Sequence, residues 1–162
     1  MYIQQADLLR GMDKDFIKEF LAIAMKESYN GGDFLFQRGE KARYFFILVR
    51  GHIRLSIGYS GHVVHSVDHP GEAFGWSSLV GRSYYSASAQ CVDPTKVLRI
   101  ENDKIQNVLE QHPAGGLIFF KRLAKILGDR LVQGYETMPG ISQAEIGISF
   151  GSGQVMERGA AL

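Results

Sequence analysis

The spacing of apolar residues along the chain changes twice. Between residues 6 and 26 the apolar positions recur every three or four residues, which predicts a helix packed on one face, with Asp13 as its N-cap. From about residue 34 to residue 101 apolar and polar residues alternate instead, which is typical of half-buried β-strands. Helical spacing returns at residue 102. The pattern therefore predicts a helix, a run of about eight strands, and then a short and a long helix.

Turns rich in glycine divide the alternating stretch into short segments. Residues 30–33 and 58–61 have the composition of tight turns, and the second of these closes a predicted hairpin. Short strands separated by turns at this spacing favour a mainly β fold of the antiparallel sandwich or jelly-roll type, with helices on its flanks. The strands that can be delimited are 34–37, 44–49, 52–57, 62–67, 73–74, 86–92 and 96–100.

Two helices are predicted after the last strand. Asn102 or Asp103 can cap a short helix that ends near Leu109, and Pro113 opens a longer helix over about 114–135. Beyond it the helical pattern is lost and glycine is frequent. We therefore expect one domain over residues 1–135 and a glycine-rich, loosely structured tail over residues 136–162.

Composition and charge narrow the class of protein. Hydrophobic residues make up 45% of the 162 residues, which is enough for a core. The formal net charge of +1 gives no long-range field to attract DNA or anionic lipid, so neither DNA nor a membrane is expected as a partner. The single cysteine excludes an intrachain disulfide, and no signal peptide or membrane-spanning run is visible. We expect a soluble, cytoplasmic protein.

One stretch of the β-rich region resembles a known ligand-binding segment. Residues 70–80, PGEAFGWSSLV, and residues 85–89, YSASA, resemble the cyclic nucleotide-binding domain of the catabolite activator and fumarate-nitrate regulator (Crp/Fnr) superfamily. Residues 32–40 and 45–55 resemble that family's second-strand signature and the hairpin after it. The resemblance covers roughly residues 8–134. It implies an eight-stranded antiparallel β-roll followed by a long C-terminal dimerisation helix.

The resemblance also implies where a small molecule would bind. A strand that ends at Gly75 and continues into a short helix presents backbone N–H groups without helical partners, which suit a cyclic phosphate. The ligand implied is a cyclic nucleotide such as cAMP or cGMP. The residues expected to line its site are Phe74, Gly75, Trp76, Ser77, Ser78, Leu79, Arg82, Tyr85, Ser86 and Ala87.

Two of these positions depart from the family pattern. The family places a glutamate after the glycine, where this chain has Trp76, and an arginine before the Ser-Ala pair, where this chain has Tyr85. Tyrosine cannot reproduce a bidentate contact between arginine and phosphate, although Arg82 lies nearby in the same loop. Two functions stay open: a stand-alone regulatory domain that senses a small ligand, and a structural or dimerisation module whose pocket is filled by its own aromatic residues.

Two apolar stripes follow the long helix. One stripe can cover its own domain while the other meets a partner helix, so we expect a homodimer that signals through this helix to an unidentified protein partner. The alternative is a helix buried only within its own monomer. The 27 residues after Tyr135 are too few for a winged helix, so no DNA-reading element is expected. The stripe expected at the dimer interface is Leu117, Phe120, Ala124, Leu127 and Leu131, and the other is Phe119, Leu123 and Ile126.

Several histidines in the β-rich region raise the question of a metal-dependent enzyme of the cupin type. Such sites draw their first ligands from a His-x-His pair on one strand face, whereas His62 and His65 are three apart and point to opposite faces of a regular strand. We therefore expect His52, His62, His65 and His69 to be surface residues, with no metal site and no enzymatic activity. Cys91 is expected to be a buried small residue.

Overall fold

The computed structural model describes residues 6–58 and 61–136. Helix α1 (Lys14–Ile23) precedes the strands, a 3-10 helix (Trp76–Val80) lies between the sixth and seventh strands, and helices α2 (Asn102–Gln111) and α3 (Pro113–Glu136) follow the last. The described strands are β1 (Ala24–Tyr29), β2 (Phe34–Phe36), β3 (Tyr44–Arg50), β4 (Ile53–Ile57), β5 (His62–Val67), β6 (Ala73–Phe74), β7 (Ser88–Cys91) and β8 (Thr95–Glu101).

The strands form two antiparallel sheets of four strands each. One sheet has the order β1-β8-β3-β6, and the other has the order β2-β7-β4-β5. Phe46 and Phe74 from the first sheet and Ile53 from the second belong to one buried cluster between them. Phe45 is also buried but points to the opposite side of β3, because side chains alternate along a strand. The predicted mainly β fold with flanking helices is confirmed.

The N-terminal helix is shorter than the apolar spacing predicts. Asp13 caps it as expected, because its carboxylate accepts hydrogen bonds from the backbone N–H groups of Asp15 and Phe16 at 3.0 and 3.3 Å. The helix ends at Ile23, and from Ala24 the chain is extended and pairs with β8. The prediction of helix as far as residue 26 was therefore wrong, and β1 was not foreseen.

The two C-terminal helices begin close to the predicted positions. α2 follows β8 without a loop, so its N-cap is Glu101, which makes no side-chain capping bond. The predicted caps, Asn102 and Asp103, lie inside the helix instead, which makes that prediction wrong. Pro113 is the first residue of α3, where the absence of a backbone N–H costs no hydrogen bond.

The apolar stripes of α3 have different environments. The ring centroid of Phe119 lies 6.2 Å from that of Phe20 in α1 and 6.1 Å from that of Phe45 in β3, and Phe119 is fully buried. By contrast, Leu117 and Phe120 are 59% and 36% exposed. Phe119 therefore packs against α1 and β3 of its own chain. The homodimer through the other stripe stays a prediction.

The chain divides into two compact units within α3, one ending at Lys125 and the other beginning at Ile126. In the second unit the described residues 126–136 are helical, with Leu127 half-buried and Leu131 exposed. The tail predicted after residue 136 lies outside the described residues. Among the described helices, none combines the length and the hydropathy that crossing a bilayer requires.

Candidate functional site

The segment after β6 is shaped by a glycine that no other residue can replace without strain. Gly75 has φ +74° and ψ 28°, in the left-handed region. A Cβ atom at this position would lie 2.9 Å from Cδ2 of Phe46 and 3.2 Å from the carbonyl oxygen of Tyr44. Because both the backbone conformation and the packing exclude a side chain here, the chain can turn sharply out of β6.

The 3-10 helix after Gly75 presents polar groups that are not all paired. No side chain among the described residues caps its start, so the first N–H groups have no capping acceptor. Ser77 is buried, and the Oγ atom of Ser78 is buried with no hydrogen-bond partner among the described residues. The helix ends at Val80 and is followed by Gly81, another left-handed glycine, whose N–H donates to the carbonyls of Ser77 and Ser78.

Tyr85 lies inside the core rather than at the mouth of a pocket. It is only 4% exposed, and its ring stacks on that of Phe36 with centroids 3.8 Å apart and planes 15° apart. Its hydroxyl donates to the carbonyl oxygen of Tyr44 at 2.8 Å and accepts from the Tyr44 N–H at 3.1 Å. Burial raises the pKa of Tyr85 to about 12. The hydroxyl is thus neutral and fully used within the protein.

The backbone around Tyr85 is held by the loop between β2 and β3. The N–H of Tyr85 donates to the carbonyl oxygen of Glu40 at 2.9 Å, and its own carbonyl accepts from the N–H of Gly39 at 3.0 Å. In the same loop, the Ala42 N–H donates to the carbonyl oxygen of Ser83 at 2.9 Å. These bonds fix which side of the segment faces inward.

The structure gathers some of the predicted site residues and leaves others at the surface. Phe74 and Leu79 are buried, and Phe74 shares Phe36 as a neighbour with Tyr85. Trp76 and Ala87 are half-buried, whereas Arg82 and Ser86 are exposed. The role of the exposed Arg82 as a ligand-binding residue stays a prediction, as does that of the whole set.

Phe36 and Tyr44 are the two residues that hold Tyr85 in place, and the sequence analysis predicted neither contact. The signal for Phe36 was present, because it alternates with Leu35 and faces inward from β2. For Tyr44 there was no local signal, since the contact uses its backbone rather than its side chain.

The segment supplies hydrogen-bond donors, from backbone N–H groups and serine hydroxyls. Residues 73–87 contain no Asp, Glu, His, Lys or Cys. Cys91, nearby in β7, is buried as predicted, and burial raises its thiol pKa, which keeps it in the unreactive thiol form. N–H groups and hydroxyls at the start of a helix can donate hydrogen bonds to an anion.

A separate open cleft of about 510 Å³ lies at another part of the fold. It is lined by the ends of β1 and β3, the start of β8 and the turns beside them, including Tyr29, Arg50 and Lys96. None of the predicted ligand-binding residues lines it.

The comparisons with known proteins concern this same β-rich region. A family model described as the cyclic nucleotide-binding domain matches residues 26–112, more than half of the chain. The structure is similar to that of a candidate cyclic nucleotide-binding protein from Geobacter metallireducens, with a TM-score of 0.68 and 26% identity, over 76% of this chain and 91% of that one. It is also similar to the Thermus thermophilus catabolite activator protein, with a TM-score of 0.66 and 22% identity, over 80% and 60% of the two chains.

A curated relative is much longer than this chain. The sequence is 24% identical over 140 residues to the human cyclic nucleotide-gated channel beta-3, a match that covers 85% of this chain. The chain spans only 17% of the length of that channel. What the two share is therefore a single domain.

Proposed function

Since this chain belongs to the cyclic nucleotide-binding domain family, which its match over residues 26–112 shows, we propose that it is a regulatory domain that senses a small anionic ligand, a cyclic nucleotide or a close relative. The observation that carries the proposal is the uncapped start of the 3-10 helix directly after the left-handed Gly75. There the backbone N–H groups and the Ser78 hydroxyl, which has no hydrogen-bond partner among the described residues, can bind a phosphate.

The proposed ligand contacts are weaker than those of a pocket that contains an arginine. Tyr85 holds the position of the arginine that the family resemblance implies, and its hydroxyl is already bonded to Tyr44. The phosphate would therefore rest on backbone N–H groups and on the hydroxyls of Ser77, Ser78 and Ser86. The missing guanidinium lowers the expected affinity for an ordinary cyclic mononucleotide.

We propose further that α3 carries the signal and forms a homodimer. Leu117 and Phe120 are exposed on the described chain, whereas the neighbouring Phe119 is buried against α1 and β3. An apolar stripe of this kind on a free monomer favours association. Pairing about a two-fold axis covers both copies with the same contacts.

A second candidate function is a structural or dimerisation module that binds no nucleotide. One specific observation favours it, namely that the ring of Tyr85 stacks on Phe36 and fills space inside the roll. In this case the chain would keep the fold and the dimer of the family without its ligand.

A ligand titration separates the two functions. Purified protein is tested by thermal shift and calorimetry against cAMP, cGMP and cyclic dinucleotides, because a ligand at 100 times its dissociation constant adds about 2.7 kcal/mol of stability. For a ligand that binds, Ser86→Asp places a negative charge beside the phosphate and should weaken binding by about tenfold or more, ~1.4 kcal/mol. Ser86→Asn is the matched neutral control: it also loses the hydroxyl but adds no charge, so it should weaken binding less than Ser86→Asp does.

The outcomes are distinct. Saturable binding that Ser86→Asp weakens more than Ser86→Asn does supports the sensor. Binding that is equal in both variants contradicts the placement of the phosphate. No shift with any of these nucleotides, in a protein that is a dimer by sedimentation, favours the module.

A further inference from the structure

The open cleft beside β1, β3 and β8 collects positive charge at one end of the first sheet. Arg50 is the last residue of β3 and Lys96 is the second residue of β8, and the two are paired across these strands. Both line the cleft of about 510 Å³. Lys26 of β1 lines a smaller cavity of about 160 Å³, and Ser28 and Lys96 line both. From this arrangement we propose that the cleft binds a small phosphomonoester, with the phosphate group between Arg50 and Lys96.

Arg50 and Lys96 occupy positions at which like charges cost stability. Directly paired residues of antiparallel strands have Cβ atoms about 5 Å apart, and equal charges there repel each other. Among the described residues, no carboxylate forms an ion pair with either cation. An anion bound between the two cations removes the repulsion and supplies the missing counter-charge.

The acidic residues at the two cavities are engaged elsewhere. Glu27 lines the smaller cavity, but its carboxylate pairs with Arg99 at 2.9 Å and accepts a hydrogen bond from the Tyr29 hydroxyl at 2.5 Å. Asp93 lines the larger cleft, and its Oδ1 accepts from the backbone N–H of His52 at 3.0 Å. The two cations of the larger cleft therefore outnumber its one carboxylate, which leaves the lining with a positive charge.

The walls of the cleft are fixed before any ligand binds. Gly51 packs so closely on Thr95 that a Cβ atom at Gly51 would lie 2.7 Å from the Thr95 Cα. Thr95 is itself buried, and its hydroxyl donates to the carbonyl oxygen of Asp93 at 2.8 Å. In the turn after β1, the Asn30 N–H donates to the carboxylate of Asp33 at 2.7 Å. A cleft whose turns are already held in this way loses little conformational freedom when a ligand binds.

The groups in the cleft suit a phosphomonoester better than a singly charged anion. A phosphomonoester carries a charge of about −1.5 to −2 at pH 7, which matches two cations. The planar guanidinium of Arg50 can bond two phosphate oxygens, and Lys96 adds a point charge. Ser28 supplies a hydroxyl donor, while Tyr29 and Pro94 provide an apolar wall for the organic part of the ligand. A cyclic phosphodiester has a single negative charge, so this cleft is distinct in its chemistry from the proposed nucleotide site.

The test is a titration with phenyl phosphate, a phosphomonoester that carries an apolar ring. Protein in a phosphate-free buffer of low salt is titrated by calorimetry, and its thermal unfolding is followed in parallel. We expect one molecule per chain and a rise in melting temperature. Arg50→Gln and Lys96→Gln should each weaken binding by about tenfold or more, because each removes a charge-assisted hydrogen bond. Without ligand, both variants should melt at or above the temperature of the wild type, since each removes one of two like charges.

Lys18→Gln is the matched control, because Lys18 is an exposed cation of α1 that does not line the cleft. It makes the same change of charge and should bind phenyl phosphate as the wild type does. Ser86→Asp should also bind normally, since Ser86 belongs to the proposed nucleotide site and lies outside the cleft lining. The result is therefore independent of whether the chain binds a nucleotide. Inorganic phosphate should bind more weakly than phenyl phosphate, because it makes no contact with the apolar wall.

Several outcomes would overturn the proposal. Absence of saturable binding would do so, as would equal binding by the wild type and the two cleft variants. Equal losses in Lys18→Gln and Lys96→Gln would indicate a general effect of charge, and a loss in Ser86→Asp would assign the binding to the nucleotide site. Inorganic phosphate that binds as tightly as phenyl phosphate would indicate an adventitious ion only. Ligand-free cleft variants that melt well below the wild type would contradict the argument from like charges.

Discussion

The buried hydroxyl of Tyr85 can be removed by one conservative substitution, Tyr85→Phe. The phenylalanine ring keeps the stack on Phe36, but the backbone N–H and carbonyl of Tyr44 lose the partner that bonds both of them at 3.1 and 2.8 Å. Leaving a buried polar group unsatisfied costs ~1–3 kcal/mol. We therefore expect Tyr85→Phe to lower the free energy of unfolding at neutral pH by about 2 kcal/mol.

The same substitution should change the response to alkaline pH. Burial raises the pKa of Tyr85 to about 12 in the folded protein, whereas an unfolded tyrosine titrates near ~10. The stabilisation is thus complete below pH ~10 and is lost as pH rises to about 12, because only the unfolded chain releases its proton in that window. Two pKa units correspond to at most ~2.7 kcal/mol. The difference between wild type and Tyr85→Phe should therefore shrink as pH rises through this window.

Urea denaturation of both proteins at several pH values between 7 and 11 checks this reasoning, with far-ultraviolet circular dichroism as the signal. The comparison cancels other groups that titrate in alkali, including Tyr29, whose pKa burial also raises. A Tyr85→Phe variant as stable as the wild type at neutral pH would refute the argument. So would a difference in stability that stays constant up to pH 11.

Two further predictions concern the dimer and a close backbone approach. Leu117→Glu places a charge in the proposed dimer interface and should give a folded monomer in sedimentation equilibrium. Ile118→Glu, at the next exposed position, should stay dimeric. A wild type that is monomeric contradicts the proposal. Gly51→Ala should lower the free energy of unfolding in urea by more than ~2 kcal/mol, because its Cβ would lie 2.7 Å from Cα of Thr95 at φ +111°. Gly32→Ala, also left-handed but with open space around it, should lower it by only about 1 kcal/mol. Equal losses in the two variants would contradict the steric argument.

The strands after residue 34 could be predicted because each buries one face, but β1 could not. In β1 the positions that are half-buried include Glu27, which pairs with Arg99 of β8 at 2.9 Å and accepts a hydrogen bond from Tyr29 at 2.5 Å. A carboxylate at such a position breaks the apolar alternation. Its partner is far away in sequence, so no local pattern reveals that the position belongs to a sheet.

The segment proposed to bind a ligand was identified by its resemblance to the family, but the direction of its aromatic residues could not be predicted from the sequence. Tyr84 and Tyr85 are neighbours in an irregular stretch, yet Tyr84 is 56% exposed and Tyr85 is buried. What decides between them is the backbone pairing with Glu40 and the bonds to Tyr44, both distant in sequence.

The histidines illustrate a related restriction. The sequence argument about His62 and His65 used the two-residue period of a strand, and that period says nothing about a turn. The structure shows that His65 meets Glu72 across the turn at residues 69–72, and that His69 and Glu72 occupy its two ends. The alternation along a strand therefore could not reveal that the Glu72 carboxylate lies beside His65.

The order of strands in the first sheet sets the order in which the protein can fold. β8 is the inner strand between β1 and β3, and it pairs Ile100 with both Ala24 and Phe45. Most of this sheet must therefore wait for the last strand to leave the ribosome, and its long loops must close before their contacts are made. Until then the apolar residues of β3 lack most of their neighbours, so they are exposed and can bind chaperones or cause aggregation. A chain that stops before Thr95 contains all four strands of the second sheet but lacks the strand that joins β1 to β3 in the first.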